Sequence, residues 1–433
     1  MMYSYHNDMA FLDDEMERHA ELKANEIHSY EEVLAFVEQE DVKFIRLAFC
    51  DQYGRQKNIS IMPSQLEQAF TGGMSFDASA IDGFGNAEHN DLYLHPDPST
   101  LKILPWRPTH GRVVRMFCNI YYPDGRRFER DGRYILQQAI AAAKERGIVC
   151  DFGAEFEFYL FKTDEEGNPT NIPFDRAGYM DIAPLDRGEN VRREICFTLV
   201  DMGIQPERSH HEAGPGQQEI DFHHSNALTA ADNTVTFKSV VETIAMRNGL
   251  AADFSPKPLA GESGNGMHIP VFIHSENGED CAMQFMAGIL DHIAEMTYFL
   301  NPGGAAYHRL GERNAPKYIS WSTQNYAQLI RFSHEEDGRS RIELRSPDPM
   351  TNPYLAYALI IRAGLDGIER KLEPADPVNL NLAYMKEADV LKTLQTLPLS
   401  VGEAARLAAK SAFIAEVIPE PYRPLHVTDS SVL

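Results

Sequence analysis

Along the chain, apolar positions recur with period two in some stretches and with helical spacing in others, and the switches between them mark out the elements. Residues 31–38 predict a short helix. Residues 42–49 read as a strand, Asp51-Gln-Tyr-Gly54 as a turn and 56–62 as a second strand, which together make a hairpin in a small mixed domain. Gly72 and Gly73 open a stretch, 76–85, that is too polar and glycine-rich for a core element, so a loop is expected there. Strand-like runs return at 101–104 and 112–122, separated by Pro105, Pro108 and Gly111. Near Asp124 and Gly125 the organisation shifts: Asp131 can cap a helix over 134–146, and a strand opens at Val149. Beyond it, helices over 189–202, 229–248, 282–300 and 352–369 interleave with strands at 217–222, 268–273, 318–321, 329–332 and 341–345. There is no strict strand–helix–strand repeat, so the expected class is α+β, an antiparallel-rich sheet with helices packed outside. Residues 1–27, charged at mixed spacing, read as an extension before a domain over 28–125 and a second over 126–433.

One strand breaks the usual logic of a core. In the run from Gly153 to Phe161, carboxylates alternate with aromatic and aliphatic residues. Glu155 and Glu157 would share one strand face, roughly 7 Å apart, while Phe156, Phe158 and Leu160 face the other way. Two such carboxylates repel, and Glu is rarely buried without a partner, so a positive group belongs over them; a divalent cation meets that need economically. The same run also fits a sheet edge whose Glu side faces water.

Composition narrows the classes of function. With 64 acidic against 40 basic residues and a formal charge of -24, the chain is a poor partner for nucleic acid or an anionic membrane surface. The five cysteines are widely spaced, without CxxC or Cys/His clusters, and read as core thiols of a reducing compartment. No apolar run reaches the ~18 residues of a membrane span, and the first 25 residues lack an apolar targeting segment, so a cytoplasmic protein is expected.

Further chemistry lies in the second half. In Ser209-His-His-Glu-Ala-Gly-Pro-Gly-Gln-Gln-Glu219 the Gly-Pro-Gly turn folds the chain back, so that Glu212 and Glu219 can approach one point. His268 follows a Gly-Asn-Gly loop at a strand start, and Arg341, Glu343 and Arg345 share a strand face, with Arg309 and Arg331 on neighbouring segments. Five glutamates and a histidine form a hard, oxygen-rich set suited to Mg²⁺ or Mn²⁺, and several guanidiniums beside it suit phosphate and carboxylate groups. Each piece has a plain alternative: His268 as a hydrogen-bonded core histidine, the Arg-Glu-Arg run as a salt-bridge ladder, His210 and His211 as a solvated turn.

The order and text of Gly153-Ala-Glu-Phe-Glu-Phe158, His211-Glu-Ala-Gly-Pro-Gly-Gln-Gln-Glu219, Gly266-Met-His268, Arg309-Leu310 and Arg341-Ile-Glu-Leu-Arg-Ser-Pro-Asp-Pro349 resemble type I glutamine synthetase, from about residue 42 to residue 370. The resemblance implies a β-grasp N-terminal domain and a funnel-shaped catalytic domain that takes ATP from one side and glutamate from the other. It implies a homo-oligomer, a hexameric ring or a dodecamer of two, with each site completed by a neighbour's loop. By position, Glu157, Glu212 and Glu219 would hold one Mg or Mn ion and Glu155, His268 and Glu343 a second. Arg309 and Arg345 would bind substrate carboxylates, Gly264 the amino end by its backbone, and Arg331 and Arg341 the transferring phosphoryl group. Asp77 of the neighbour's loop and Tyr179 would help form the ammonium pocket.

The chain departs from that family at several points. Asn314 stands where a flap glutamate before Ala-Pro is usual, with Glu312 two residues earlier, and Ala80 replaces a serine in the same pocket. An altered amine site is therefore expected, with ammonia or a larger amine as the second substrate. On the nucleotide side Pro270, Phe272 and Tyr326 replace a histidine, a serine and an arginine, and Ser263 and Asn265 look exchanged. These changes leave a non-catalytic homologue as the rival reading. The C-terminus ends early and lacks the modification motif, which argues against stacked double rings and against adenylylation.

Overall fold

The computed structural model describes residues 27–85, 90–312, 315–335, 338–380, 382, 385–390 and 392–424. Nearly all of the expected N-terminal extension, and Asn314, lie outside the described residues.

Among the described residues the chain forms two sheets. The first takes β1 (Val42–Cys50), β2 (Gln56–Ile61), β3 (Met74–Asp77), β4 (Asp91–Pro96), β5 (Lys102–Ile103) and β6 (Arg112–Tyr121) in the order β2-β1-β6-β4-β3, with β5 on β6. β1 runs parallel to β6 and antiparallel to β2, and α1 (Tyr30–Gln39) precedes them. Ser29 and Glu32 close a capping box that satisfies the free amides at the start of α1.

Two of these strands escape the hydropathy pattern. β3 ends inside the stretch 76–85 expected to be a loop, and β4 was not expected at all. β3 is only half buried, and β4 buries Leu92, Leu94 and Pro96 between polar residues, so neither presents a long apolar run.

The second sheet carries the chemistry. Its strands are β7 (Ile148–Thr163), β8 (Pro169–Pro173), β9 (Pro206–His211), β10 (Gln217–Asn226), β11 (Leu250–Asp253), β12 (Met267–Ser275), β13 (Trp321–Ser322), β14 (Ile330–His334) and β15 (Ser340–Leu344). The order is β13-β14-β15-β12-β7-β10-β9, with β8 and β11 also on β7, and every pairing except β13 with β14 is antiparallel. Helices α2 (Gly132–Glu145), α3 (Glu189–Asp201), α4 (Ala227–Arg247), α5 (Ala282–Leu300), α6 (Pro353–Glu369) and α7 (Val401–Lys410) complete the α+β fold. The strand expected at 318–321 is displaced: only Trp321 and Ser322 join the ladder, while Tyr318 bridges to Thr396. β8, β9 and β11 are short or polar, which is why alternation alone did not mark them.

Close packing holds the frame. A Cβ on Gly288 of α5 would lie 2.0 Å from the Ala363 carbonyl of α6, and one on Gly367 would lie 2.1 Å from the Gln284 carbonyl, so these glycines let the two helix backbones touch. A buried polar knot ties the first sheet to helices α2, α4 and α6. Arg133 donates to both oxygens of Asp232 at 3.1 and 2.9 Å, to Asp97 at 3.0 Å and to Asn119 at 3.1 Å, and the Tyr354 hydroxyl donates to Asp232 at 2.6 Å.

Candidate functional site

The site is built on β7 and its two neighbours. Antiparallel register sets Glu155 opposite His268 of β12 on one side and Asp221 of β10 on the other, and sets Glu157 opposite Glu219. Period two along β7 and β10 therefore collects four carboxylates on one face, while Phe156 stacks against Phe222 and Phe237 on the other. The Glu side of β7 is thus sheet interior, and not an edge facing water.

Three groups of ligand-bearing side chains lie here with one donor atom each within 4.8 Å of the others: Glu155 with His268 and Glu343, His210 with Glu212 and Glu219, and Glu155 with Glu219 and Asp221. His268 Nδ1 is 3.2 Å from Glu155 Oε2, and its Nε2 is 3.9 Å from Glu157 Oε1. Glu157 does not join Glu212 and Glu219 in such a group. It accepts instead from the Gly266 amide at 2.9 Å and from Gln217 Nε2 at 3.2 Å.

Arginines cap this cluster. Arg341 donates to Glu155 at 2.6 Å and to Glu343 at 2.5 Å, Arg345 also donates to Glu343, and Arg331 lies 3.6 Å from it. The salt-bridge ladder and the ligand cluster therefore share Glu343, and Arg341 reaches across to Glu155 as well. Arg309 is buried and donates to the Ser346 and Pro347 carbonyls at 2.5 and 2.8 Å. The Nε of Arg309, Arg331 and Arg345 is in each case buried without an acceptor.

The electrostatics follow from this crowding. Burial pushes the Glu155 carboxyl up, but its bond to His268 and the charges of His268, Arg341 and Arg345 outweigh that and bring it down to about 2. For Glu343, burial and Glu155 act upward and Arg345 and Arg341 prevail downward. Glu219 goes the other way: burial, then Asp221, Glu157, Glu212 and Glu155, hold it well above the usual carboxylate range. Burial and Glu155 raise Asp221 to about 7 against the pull of Arg208. The Glu219 end of the face is short of positive charge.

Sequence reasoning missed four contributors. Asp221 follows Glu219 at the two-residue spacing of β10, a signal that was available. His210 was assigned no role, with a solvated turn as the plain alternative for it and His211, yet it lies 3.4 Å from Glu212 and 3.5 Å from Glu219. His211 is fully buried, with Nε2 2.9 Å from Asp175. Gln217 is buried too and ties Glu157, the Gly264 carbonyl and Asn265 together.

The remaining expected residues are spread more widely. Gly264 sits against Arg309: a Cβ there would lie 2.5 Å from the Pro256 carbonyl and 2.6 Å from Arg309 Cγ. Tyr179 is exposed, with its ring edge-on to His210 at 5.4 Å. Asp77 belongs to the N-terminal sheet, where it accepts from the Ser79 amide at 2.9 Å and hydroxyl at 2.6 Å.

A family model described as the glutamine synthetase catalytic domain matches residues 129–424, and one described as the glutamine synthetase beta-Grasp domain matches residues 41–123. The chain belongs to the glutamine synthetase family. Among similar proteins, glutamine synthetase of Methanosarcina mazei is 45% identical over 405 residues, covering 90% of each chain. That of Thermus thermophilus is 43% identical, covering 90% of this chain and 91% of its own. Among solved structures, a GmaS/ADP complex has a TM-score of 0.81 at 27% identity, covering 90% of this chain and 92% of its own. Plasmodium falciparum glutamine synthetase has a TM-score of 0.78 at 22% identity, covering 91% and 93%, a likeness of fold.

The departures from the glutamine synthetase pattern have structural roles of their own. Glu312 is engaged by Lys257, which also donates to the Glu262 carbonyl at 2.6 Å. Tyr326 lies under Arg331 at 4.1 Å and Arg345 at 5.6 Å, a cation–π contact with two arginines of the site. Phe272 packs on His224 at 4.3 Å. Asn265 is fully buried and donates to the Asp253 and Ser255 carbonyls at 3.2 and 2.9 Å, so it pins the loop before His268.

Proposed function

We propose that this chain ligates glutamate to ammonia or another amine at the expense of ATP, through a γ-glutamyl phosphate. The observation that carries the reading is the juxtaposition on one sheet face of buried carboxylates with Arg331, Arg341 and Arg345, with Arg309 close enough to feel the charges of Glu157 and Arg345. Carboxylates in excess call for cations, and the unanswered N–H groups of Arg309, Arg331 and Arg345 call for anions. Family membership and relatives named glutamine synthetase at 43–45% identity support the same chemistry.

The donor set fits a hard divalent ion: all-oxygen apart from imidazole, with the Asp221 Oδ1 buried and unanswered. Glu155, His268 and Glu343 would hold one Mg²⁺ or Mn²⁺, and Glu212 and Glu219 a second, with Glu157 near both. Such ions draw off charge from phosphoryl oxygens and from the carboxylate under attack. The chain's own residues do the rest. Arg309 and Arg345 bind and orient the carboxylates of glutamate, and the Gly264 carbonyl receives its amino group. Arg331 and Arg341 offset the charge of the transferring phosphoryl group. The γ-carboxylate oxygen attacks the terminal phosphorus as ADP leaves; the nitrogen of the neutral amine then attacks the acyl carbon, the C–O bond to phosphate breaks, and the proton the nitrogen loses leaves with the phosphate.

Tyr179 beside His210 forms part of the amine entrance, and Asp77 reaches it from a neighbouring subunit, which makes the active assembly a ring. The division at residue 125 into β-grasp and catalytic domains, and a cytoplasmic location, belong to the same proposal.

The test is phosphate release from ATP and glutamate with Mg²⁺ or Mn²⁺, using ammonium and a panel of primary amines. Release with ammonium identifies a glutamine synthetase, and release with one amine class alone a γ-glutamyl-amine ligase. Silence with every amine, together with no ATP binding by calorimetry, sinks the ligase reading.

A further inference from the structure

Away from the carboxylate face, a cavity of about 400 Å³ opens between the N-terminal sheet and helix α4. Arg46 of β1, Arg107 after β5, Arg115 of β6 and Arg247 at the end of α4 line it, together with Trp106 and the single acid Glu242. Four guanidiniums against one carboxylate is a local excess of positive charge in a chain whose formal charge is -24. None of these residues was singled out for the catalytic reaction, and the cavity walls come from both domains.

Arg115 is what makes this more than a basic surface. It is 4% exposed, its Nη1 donates to Thr236 of α4 at 2.9 Å, and its plane lies 4.0 Å from the Phe117 ring. Its Nε is buried with no acceptor, and among the described residues it forms no ion pair. Arg46 and Arg107 likewise have no ion pair among the described residues; burial and then the charge of Arg107 lower the pKa of Arg46. Glu242 neutralises neither, because among the described residues no ion pair joins it to any of the four arginines. Arg247 reaches only as far as Glu194, at 4.0 Å. The Asp232 carboxylate attracts Arg115, but its oxygens are bound by Arg133; a buried cation with an unanswered N–H, flanked by two cations without ion pairs and a tryptophan, is therefore short of negative charge.

We infer that this inter-domain cavity binds a small dianion, a phosphate or a dicarboxylate, held by Arg46, Arg107 and Arg115 beside Trp106. The volume falls in the range of small-molecule sites, and guanidiniums take either group in bidentate fashion. The Thr236 hydroxyl that accepts from Arg115 itself donates to the Asp232 carbonyl at 2.7 Å, and Asp232 is the hub of the knot joining the first sheet to helices α2, α4 and α6. A bound dianion therefore stiffens the contact between domains, and its effect is regulatory, separate from substrate binding.

The experiment titrates the full-length protein with inorganic phosphate and, separately, with succinate. It reads the fluorescence component lost in Trp106→Phe, one of two tryptophans in the chain, and the thermal midpoint. Expected is saturable quenching by at least one anion, with a rising midpoint, and an affinity at least tenfold lower in Arg46→Gln and in Arg107→Gln. Arg331→Gln, on the catalytic face, leaves the signal in place, which separates this cavity from the phosphate-binding side of the active site. Saturation by phosphate alone or by succinate as well supports the site and sorts the two ligand sources. No saturation with either anion, or affinities unchanged in both cavity variants, overturns the inference.

Discussion

Replacing Arg341 by Gln removes the cation that spans Glu155 and Glu343. Its two bonds, 2.6 Å to Glu155 and 2.5 Å to Glu343, are to charged acceptors, each worth about 1.5–3 kcal/mol. Neither carboxylate is left alone, since Glu155 keeps His268 and Glu343 keeps Arg345, so the lower end applies, roughly 3 kcal/mol in all. With an unfolding entropy of ~2.1 cal/mol/K per residue over 433 residues, that is a fall of about 3 °C in the thermal midpoint. Divalent ions should restore more of this loss in the variant than they add to the wild type, because they bind the same carboxylates. Phosphoryl transfer should fall by about 10²–10³, the usual effect of losing a preorganised charge-stabilising group. The assays are differential scanning fluorimetry with and without Mn²⁺, and phosphate release. A variant with wild-type midpoint, metal response and rate would refute the placement of Arg341 over the ligand cluster.

Three further outcomes are expected. Chelation by EDTA should abolish phosphate release and lower the midpoint, with Mg²⁺ or Mn²⁺ restoring both; activity that survives chelation contradicts the divalent-ion reading. Gly264→Ala forces a Cβ to within 2.5 Å of the Pro256 carbonyl and 2.6 Å of Arg309; the displaced loop should raise the KM for glutamate at least about tenfold, checked by steady-state kinetics. Arg133→Met strands the buried Asp232 with only Tyr354 for support; a loss of about 3–5 kcal/mol, read by urea denaturation, is expected, and a change under 1 kcal/mol would show that the knot does not join the domains.

The long elements were legible because their patterns repeat over many residues. α4, α5 and α6 each carry enough apolar positions to show their period, and β7 alternates carboxylate and aromatic residues over a run that only a strand explains. Short strands were not: β9 contains Arg208, His210 and His211, with hardly an apolar residue, and it forms because β10 offers it a ladder. His210 was missed for the same reason, whereas Asp221 lay on an expected strand at a spacing from Glu219 that could have marked it. Their meaning depends on what faces them across the sheet.

What the sequence determined by itself was the kind of chemistry: residue types, their order, and the motifs that resemble one family, because these are local properties that survive without coordinates. The register of β7 against β10 and β12 was decided only by the tertiary structure, since antiparallel pairing brings together residues such as Glu155 and His268 that are far apart in the chain. That register put Glu157 on the Gly266 amide, added His210 and Asp221, and turned an Arg-Glu-Arg ladder into the lid of a carboxylate cluster. The basic cavity beside Trp106 has no sequence signature at all, because its arginines come from segments that meet only when the two domains pack.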